Sequence, residues 1–267
     1  MVEISAQLVR ELREKTSAGM MDCKRALQET NGDIESAVVL LRERGMAQAA
    51  KRADRATTEG LVGYRLADDG SKGTMVAIGC ETEPVSKNAE FQAFAKKVLD
   101  AVEAGGIDAA SELDTERQEL SGKLGENISV AGAVRFEALD GSFVAAYAHP
   151  PANKIGVLVN LRGGDADLGR KLAMHIAASS PQWVGREDVP EEAVAAERDI
   201  YAHSDEVASK PEQAREKIVE GMLNKRFFGA NVLTDQEWVH DSSQTVGQVL
   251  AAAGATVLEF QRFSLAR

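Results

Sequence analysis

The strongest constraint on how this chain can fold is a repeated order of elements. Residues 61–66, LVGYRL, alternate apolar and polar like a half-buried strand. A turn-rich ADDGSKG then leads into a second strand, TMVAIGCE. A helix follows, with Phe91, Phe94, Ala95, Val98, Leu99 and Val102 at helical spacing. The order returns later as SFVAAYAH, a PPANK connection, IGVLVNLRG, and a helix with Leu168, Leu172, Ile176 and Ala177. The two closing segments also correspond. LSGKLGENISVAGAVRFEAL and VGQVLAAAGATVLEFQRFSL each read as a short helix and then a strand, with glycines in similar places. Two strands alone are marginal, whereas three strands with a helix on one face can hold a core. The pattern predicts an α+β chain with two related α/β subdomains, each a small antiparallel sheet with helices on one face. One spans 61–140. The other spans 141–189 and 229–267.

Two further parts flank and interrupt this core. Residues 1–46 read as a small three-helix module. Its first helix starts after Ser5 as N-cap and puts Leu8, Val9 and Leu12 on one stripe. The second runs from about Met21 to Glu29 and ends at Asn31-Gly32. The third is capped by Asp33, buries Ile34, Ala37, Val38 and Leu41, and stops at Gly45. Residues 47–60 read as a partly helical linker. Residues 190–228 read as a helical hairpin around SKPEQ, in which Ala193, Val194, Glu197, Ile200, Tyr201 and Val207 face Ala214, Ile218, Met222 and Leu223.

Little in the chain points to bond-making chemistry. His149, His175, His203 and His240 have no metal-binding spacing, and neither a nucleotide-binding glycine loop nor a GxSxG motif is present. His175 lies beside an apolar helix face and reads as a hydrogen-bonded, half-buried histidine; an enzyme built on it lacks a second catalytic group at motif spacing. The reading is therefore not an enzyme, with no cofactor and no metal. The formal net charge of -11 argues against nucleic acid as a direct partner. Cys23 and Cys80 form no disulfide framework, which points to the cytoplasm, and no apolar run is long enough for a membrane span.

What remains is surface. Met20 and Met21 are adjacent, and neighbours on a helix point about 100° apart, so both cannot face one core. Met21 reads as a core filler, and the outward member of the pair suits an adaptable binding surface. A second surface feature is CETEPVSKNAEF, residues 80–91. Pro84 disfavours helix at Glu83, so Glu81, Thr82 and Glu83 read as an exposed acidic tip. The bland alternative is a capped connection, with Ser86 or Asn88 capping the next helix.

LVRELREKTSAGMMDCKRALQETNGDIESAV, TEPVSKNAEFQAFAKKV, IGVLV and MHIAASSP together resemble bacterial translation elongation factor Ts, in order and over essentially the whole chain. The resemblance implies a guanine-nucleotide exchange factor for elongation factor Tu. It also implies an N-terminal module like ubiquitin-associated domains, a two-subdomain core, and a hairpin insertion often used for dimerisation. Arg13, Met20 and Met21 match residues that contact the GTPase domain of the partner. Thr82, Glu83, Pro84 and Val85 stand where the best-known members read Thr-Asp-Phe-Val, the motif that disturbs the partner's magnesium site. Glutamate keeps the charge with one more methylene; proline replaces the aromatic wedge. His149 matches a family histidine near the same partner domain. The longer family members continue past EFQRFSLAR into a C-terminal helix, so that contact is expected to be missing. Self-association of the 190–228 hairpin stays open, as does a rival reading, a non-catalytic scaffold that uses its N-terminal module.

Overall fold

A computed structural model describes residues 4–16, 18–139 and 141–265. The N-terminal part forms α1 (Ala6–Thr16), α2 (Met20–Glu29) and α3 (Ile34–Ala50). Both expected caps form: Ser5 Oγ accepts from the Leu8 amide at 3.2 Å, and Asp33 from the Ser36 amide at 2.6 Å. Asn31 and Gly32, both at positive φ, make the turn between α2 and α3. Val9, Leu12, Cys23, Ala26, Leu27 and Ala37 fill a thin core. Helix α3 does not stop at Gly45 but continues to Ala50, into the stretch read as linker. Gly45 is a crossing point, not a C-cap, as described below.

The first half of the repeat comprises β1 (Glu59–Leu66), β2 (Lys72–Cys80), the single-turn α4 (Glu83–Ser86), α5 (Ala89–Gly105), α6 (Asp114–Leu124) and β3 (Ser129–Glu137). Its sheet order is β1-β2-β3. Asn88 caps α5 by accepting from the amides of Glu90 (2.8 Å) and Phe91 (3.4 Å). Phe91, Phe94, Ala95, Val98, Leu99 and Val102 pack on Val76, Ile78 and Ile128. The second half comprises β4 (Ser142–Ala148), β5 (Ile155–Arg162), α7 (Ala166–Ser179) and then the hairpin helices. These are α8 (Glu191–Ala202), α9 (Asp205–Ala208) and α10 (Glu212–Met222), continued by a π-helical turn at Leu223–Phe228 and by α11 (Gly229–Asn231). The strands β6 (Glu237–Trp238) and β7 (Asp241–Thr245), helix α12 (Val246–Ala252) and β8 (Thr256–Ser264) complete it. Its main sheet runs β4-β5-β8, with β4 antiparallel to β5 from Ser142↔Arg162 to Ala148↔Gly156. Each half thus places its late strand beside its second strand. Leu172, Ile176 and Leu250 cover the second sheet through Val157, Val159 and Leu161.

The chain divides into two compact units by its internal contacts. One holds residues up to 63, 76–134 and 264–265; the other holds 64–75 and 135–263. These limits differ from the five-part division expected from the sequence. The three-helix segment and residues 47–60 go with the first sheet's helices, while the β1–β2 turn goes with the second half. In the hairpin, Val207, Val219, Met222 and Leu223 are buried with Tyr201, Ile218, Phe227 and Phe228 around them. Ile200, expected in this seam, is 60% exposed. Helix α8 buries no residue completely. The fully buried part of the seam is therefore made by α9, α10 and the π-helical turn; α8 packs on them through half-buried residues such as Tyr201, and Arg226 bonds to Glu206 at 2.9 Å. Tyr201 is pushed up to about 12 by burial and by its hydrogen bond to Glu197.

His175 is fully buried and stacks on Trp238 with ring centroids 5.2 Å apart. Its Nδ1 accepts from the Val239 amide at 3.2 Å, and its Nε2 lies 2.9 Å from Gln236 Oε1, which fits a neutral ring with the proton on Nε2. Burial pushes its pKa below the ordinary 6.5, against the pull of the Gln236 hydrogen bond. Below that ordinary value the unfolded chain binds a proton that the folded chain refuses, so stability falls as pH falls. Urea unfolding should show a lower midpoint at about pH 5.5 than at about pH 7.5, with His175→Leu reducing that difference. An equal pH slope in the variant would show that His175 is not its source.

Candidate functional site

The turn between β2 and α5 is built from carboxylates that are occupied, not free. Glu126, just before β3, spans it: Oε2 accepts from the amides of Glu81 and Thr82, each at 3.0 Å, and Oε1 from the Thr82 hydroxyl at 2.5 Å. In return Glu81 accepts from the Asn127 amide at 2.7 Å and lies 3.5 Å from Arg55. Asn127 Nδ2 donates to the carbonyls of Ala53 (3.0 Å) and Arg55 (2.7 Å). Asn127 is itself buried. Three chain segments are thereby tied by backbone-directed bonds, those to the two carboxylates being of the stronger, charge-assisted kind. Glu81 is consequently half-buried and does not belong to the exposed tip that the sequence suggests.

Glu83 is also not excluded from helix. It opens α4, with Thr82 extended at φ -130° and ψ 151° as N-cap and Pro84 in the first turn. The physical reason is that the first-turn amides of a helix lack partners anyway, so proline's missing N–H costs nothing there. The Lys87 amide reaches the Glu83 carbonyl at 3.2 Å, and the Lys87 ammonium reaches the Glu83 carboxylate at 2.7 Å. That ion pair raises the Lys87 pKa, chiefly through the hydrogen bond to Glu83. Thr82, Glu83 and Pro84 are exposed, while Val85 is half-buried against the α5 cluster and anchors the turn. The result is a single anchored helical turn that leaves an acid and a proline ring exposed.

The second surface lies on the three-helix segment. Arg13 is exposed near the end of α1. Met20 is 60% and Met21 64% exposed. The expectation that Met21 fills the core is wrong, and helix geometry gives the reason. With Cys23 at the centre of the buried stripe, Leu27 and Ala26 lie within about 60° of it, Met20 about 60° to the flank, and Met21 about 160° away. Met20 also sits in the first turn of α2. Two flexible thioethers stand in solvent side by side.

His149 belongs to the other unit. It follows β4, is exposed, and its Nδ1 lies 2.9 Å from the Tyr147 hydroxyl with the rings edge to face. The residues singled out in the sequence thus form a tip on α4, an exposed arginine on α1 and an exposed methionine pair on α2, and a Tyr147–His149 pair. Tyr147, Glu126 and Asn127 were not anticipated. For Glu126 and Asn127 the only sequence sign is a polar ENIS before a strand, which resembles any loop. Among the described residues, no group of three or more His, Cys, Asp or Glu could hold a metal ion, and no helix is long and apolar enough to cross a membrane.

Residues 81–267 match the model of the family described as Elongation factor TS. An Elongation factor Ts of Methylococcus capsulatus is 41% identical over 275 aligned residues, covering 99% of this chain and 92% of that protein. One of Teredinibacter turnerae is 44% identical, covering 98% and 90%. One of Escherichia coli is 43% identical, covering 99% and 92%.

Three substitutions test this geometry. Glu126→Gln keeps the size but offers one acceptor oxygen for three donors, and should cost about 1–3 kcal/mol locally, seen as faster hydrogen exchange at the Glu81 and Thr82 amides. Unchanged protection there would remove Glu126 from its holding role. Met21→Ala should change stability by less than about 0.5 kcal/mol, whereas Leu27→Ala should cost roughly 2–5 kcal/mol in urea unfolding.

Proposed function

The chain belongs to the elongation factor Ts family, and from that premise we propose that it is the guanine-nucleotide exchange factor of elongation factor Tu in bacterial translation elongation. The observation that carries this reading is the 41–44% identity, across nearly the whole chain, to proteins named Elongation factor Ts. It acts in the cytoplasm as a binding protein, not an enzyme, and it binds the GTPase without touching nucleic acid or membrane.

The mechanism needs no bond chemistry in this chain. A GTPase holds its nucleotide by neutralising phosphate charge with magnesium and with amide groups of a phosphate loop. In this proposal the α4 protrusion, Thr82 to Val85, is pressed toward that magnesium site. Glu83 brings a negative charge where the phosphates already need compensation, and Pro84 brings a stiff apolar edge in place of an aromatic ring. The Glu126 clamp supports the reading, because a lever works only if its base does not yield. Met20, Met21 and Arg13 grip the GTPase domain: exposed thioethers adapt to an apolar groove, and a guanidinium pairs with carboxylates. His149, oriented by Tyr147, supplies a further contact from the second unit.

Binding and exchange are then linked. A factor that holds the emptied GTPase more tightly than the loaded one must itself be weakened by nucleotide to the same degree. A near-complete reversal of populations needs about 5.5 kcal/mol, which several modest contacts can share. The hairpin's exposed Ile200 leaves room for self-association as a separate property.

The direct test is release of fluorescent GDP from purified elongation factor Tu. The protein should accelerate it, and an unchanged rate would refute the reading. Removal of residues 1–50 should lower the acceleration strongly. Replacing Glu83 and Pro84 with alanine should slow stopped-flow release about 3–10-fold, or roughly 0.7–1.4 kcal/mol of coupling. A rate that ignores this pair but falls with His149→Ala would move the lever to the second unit.

A further inference from the structure

Helix α3 belongs to two packings at once. Its early turns close the small core with α1 and α2, yet it touches α6 more extensively than it touches either of them. The closest approach is glycine on glycine. A Cβ placed on Gly122 would lie 2.6 Å from the Gly45 carbonyl carbon and 2.7 Å from its Cα, closer than real Cβ contacts come. A Cβ on Gly45 would meet Gly122 Cα at 3.5 Å, an ordinary contact. Arg42, less than one turn before Gly45, pairs with Glu119, less than one turn before Gly122. Beyond the end of α3, Asn127 holds the carbonyls of Ala53 and Arg55. Beside the crossing lies a cleft of about 700 Å³, with Asp22, Arg25, Val38 and Leu41 on one wall and Glu119 and Lys123 on the other. The cleft leaves the glycine crossing as the place where the two helix backbones meet most closely, and the angle at which α1 and α2 are carried depends on that approach.

We propose that Gly122 is a positioning residue for exchange: its missing side chain lets α3 seat against α6 and so presents Arg13, Met20 and Met21 in one fixed orientation. Residues 47–50 then continue a clamped helix, and the turns that follow are held by Asn127, so the stretch is not a free tether. A clamped module pays its orientational entropy on folding and not on binding, which strengthens the complex without a new contact. The inference rests on the exchange reading of the preceding subsection, but one arm of its test does not.

The crossing is asymmetric, and the test uses that. Helix propensity alone favours alanine over glycine in both helices, so it predicts that Gly45→Ala and Gly122→Ala are alike and harmless. The crossing geometry predicts that Gly45→Ala leaves the protein unchanged and that Gly122→Ala and Gly122→Val open the contact. The first arm is trypsin cleavage after Lys51, Arg52 and Arg55 in the full chain. It should be slow in the parent and in Gly45→Ala, and faster in the Gly122 variants. The second arm is steady-state GDP exchange on elongation factor Tu, where Gly122→Val should raise KM roughly tenfold with kcat within about twofold, the signature of lost uniform binding. Arg42→Glu should move both readouts in the same direction by less, and Arg42→Glu with Glu119→Arg should restore them, which keeps the test alive if Gly122→Val fails to fold. Equal behaviour of Gly45→Ala and Gly122→Ala in the trypsin arm, or faster cleavage with an unchanged KM, overturns the proposal. A parent protein that releases no GDP defeats the exchange reading, while the trypsin arm still decides the seating of α3.

Discussion

The reciprocal bonding of Glu81 and Glu126, with Asn127 between them, is the interaction on which the first unit's geometry depends. Strand β2 ends at Cys80 and β3 begins at Ser129, and both ends would otherwise carry unpaired amides into half-buried positions. Each carboxylate answers the backbone of the other's segment. Asn127 adds the chain that leaves α3. Such a knot is all or nothing: with every donor matched it rigidifies, and with one acceptor lost the remaining buried groups are left costly. The α4 protrusion inherits its stiffness from this arrangement more than from its own single turn, since one turn of helix has almost no stability alone.

The candidate contact surfaces differ in kind for a physical reason. The tip at Thr82–Val85 is pinned by Glu126, by Val85 against the α5 cluster, and by proline's fixed φ. The patch at Met20 and Met21 is the opposite, with freely rotating side chains on a helix whose core is only a few residues deep. A stiff element suits the place where a site must be distorted, and a compliant one suits a surface that only needs to be held. The glycine crossing combines them by fixing the backbone that carries the compliant residues.

Much of this architecture is legible in the sequence because it rests on local pattern. The strand alternation, the apolar spacing from Phe91 to Val102, and the caps at Ser5, Asp33 and Asn88 each have a local cause. The errors fall where tertiary contact overrides a local rule. Gly45 looks like a helix end, but its lack of a side chain serves close approach to Gly122. Pro84 looks like a helix breaker, but it occupies the first turn. Met21 looks like a core residue by hydrophobicity alone, while the phase of Cys23, Ala26 and Leu27 turns it outward. Ile200 fails in the same way, since α8 turns Tyr201 and not Ile200 toward the hairpin cluster. The family resemblance points to Thr82, Glu83, Pro84 and Val85, but the residues that hold them in place come from a segment more than 40 positions away and carry no periodic mark.

The two compact units are interleaved along the chain, with crossings inside β1, β2 and β3 and again at the end of β8. A ribosome delivers residues in order, and domains that are continuous segments can fold as they emerge. Neither unit here is one continuous segment. The first lacks its β3 segment until residue 134 is made, and the β1–β2 turn must wait, paired at its base but uncovered at its tip, until the second unit's strands arrive. For a nascent copy of this chain, the vulnerable interval is thus set by translation speed across the middle of its own message.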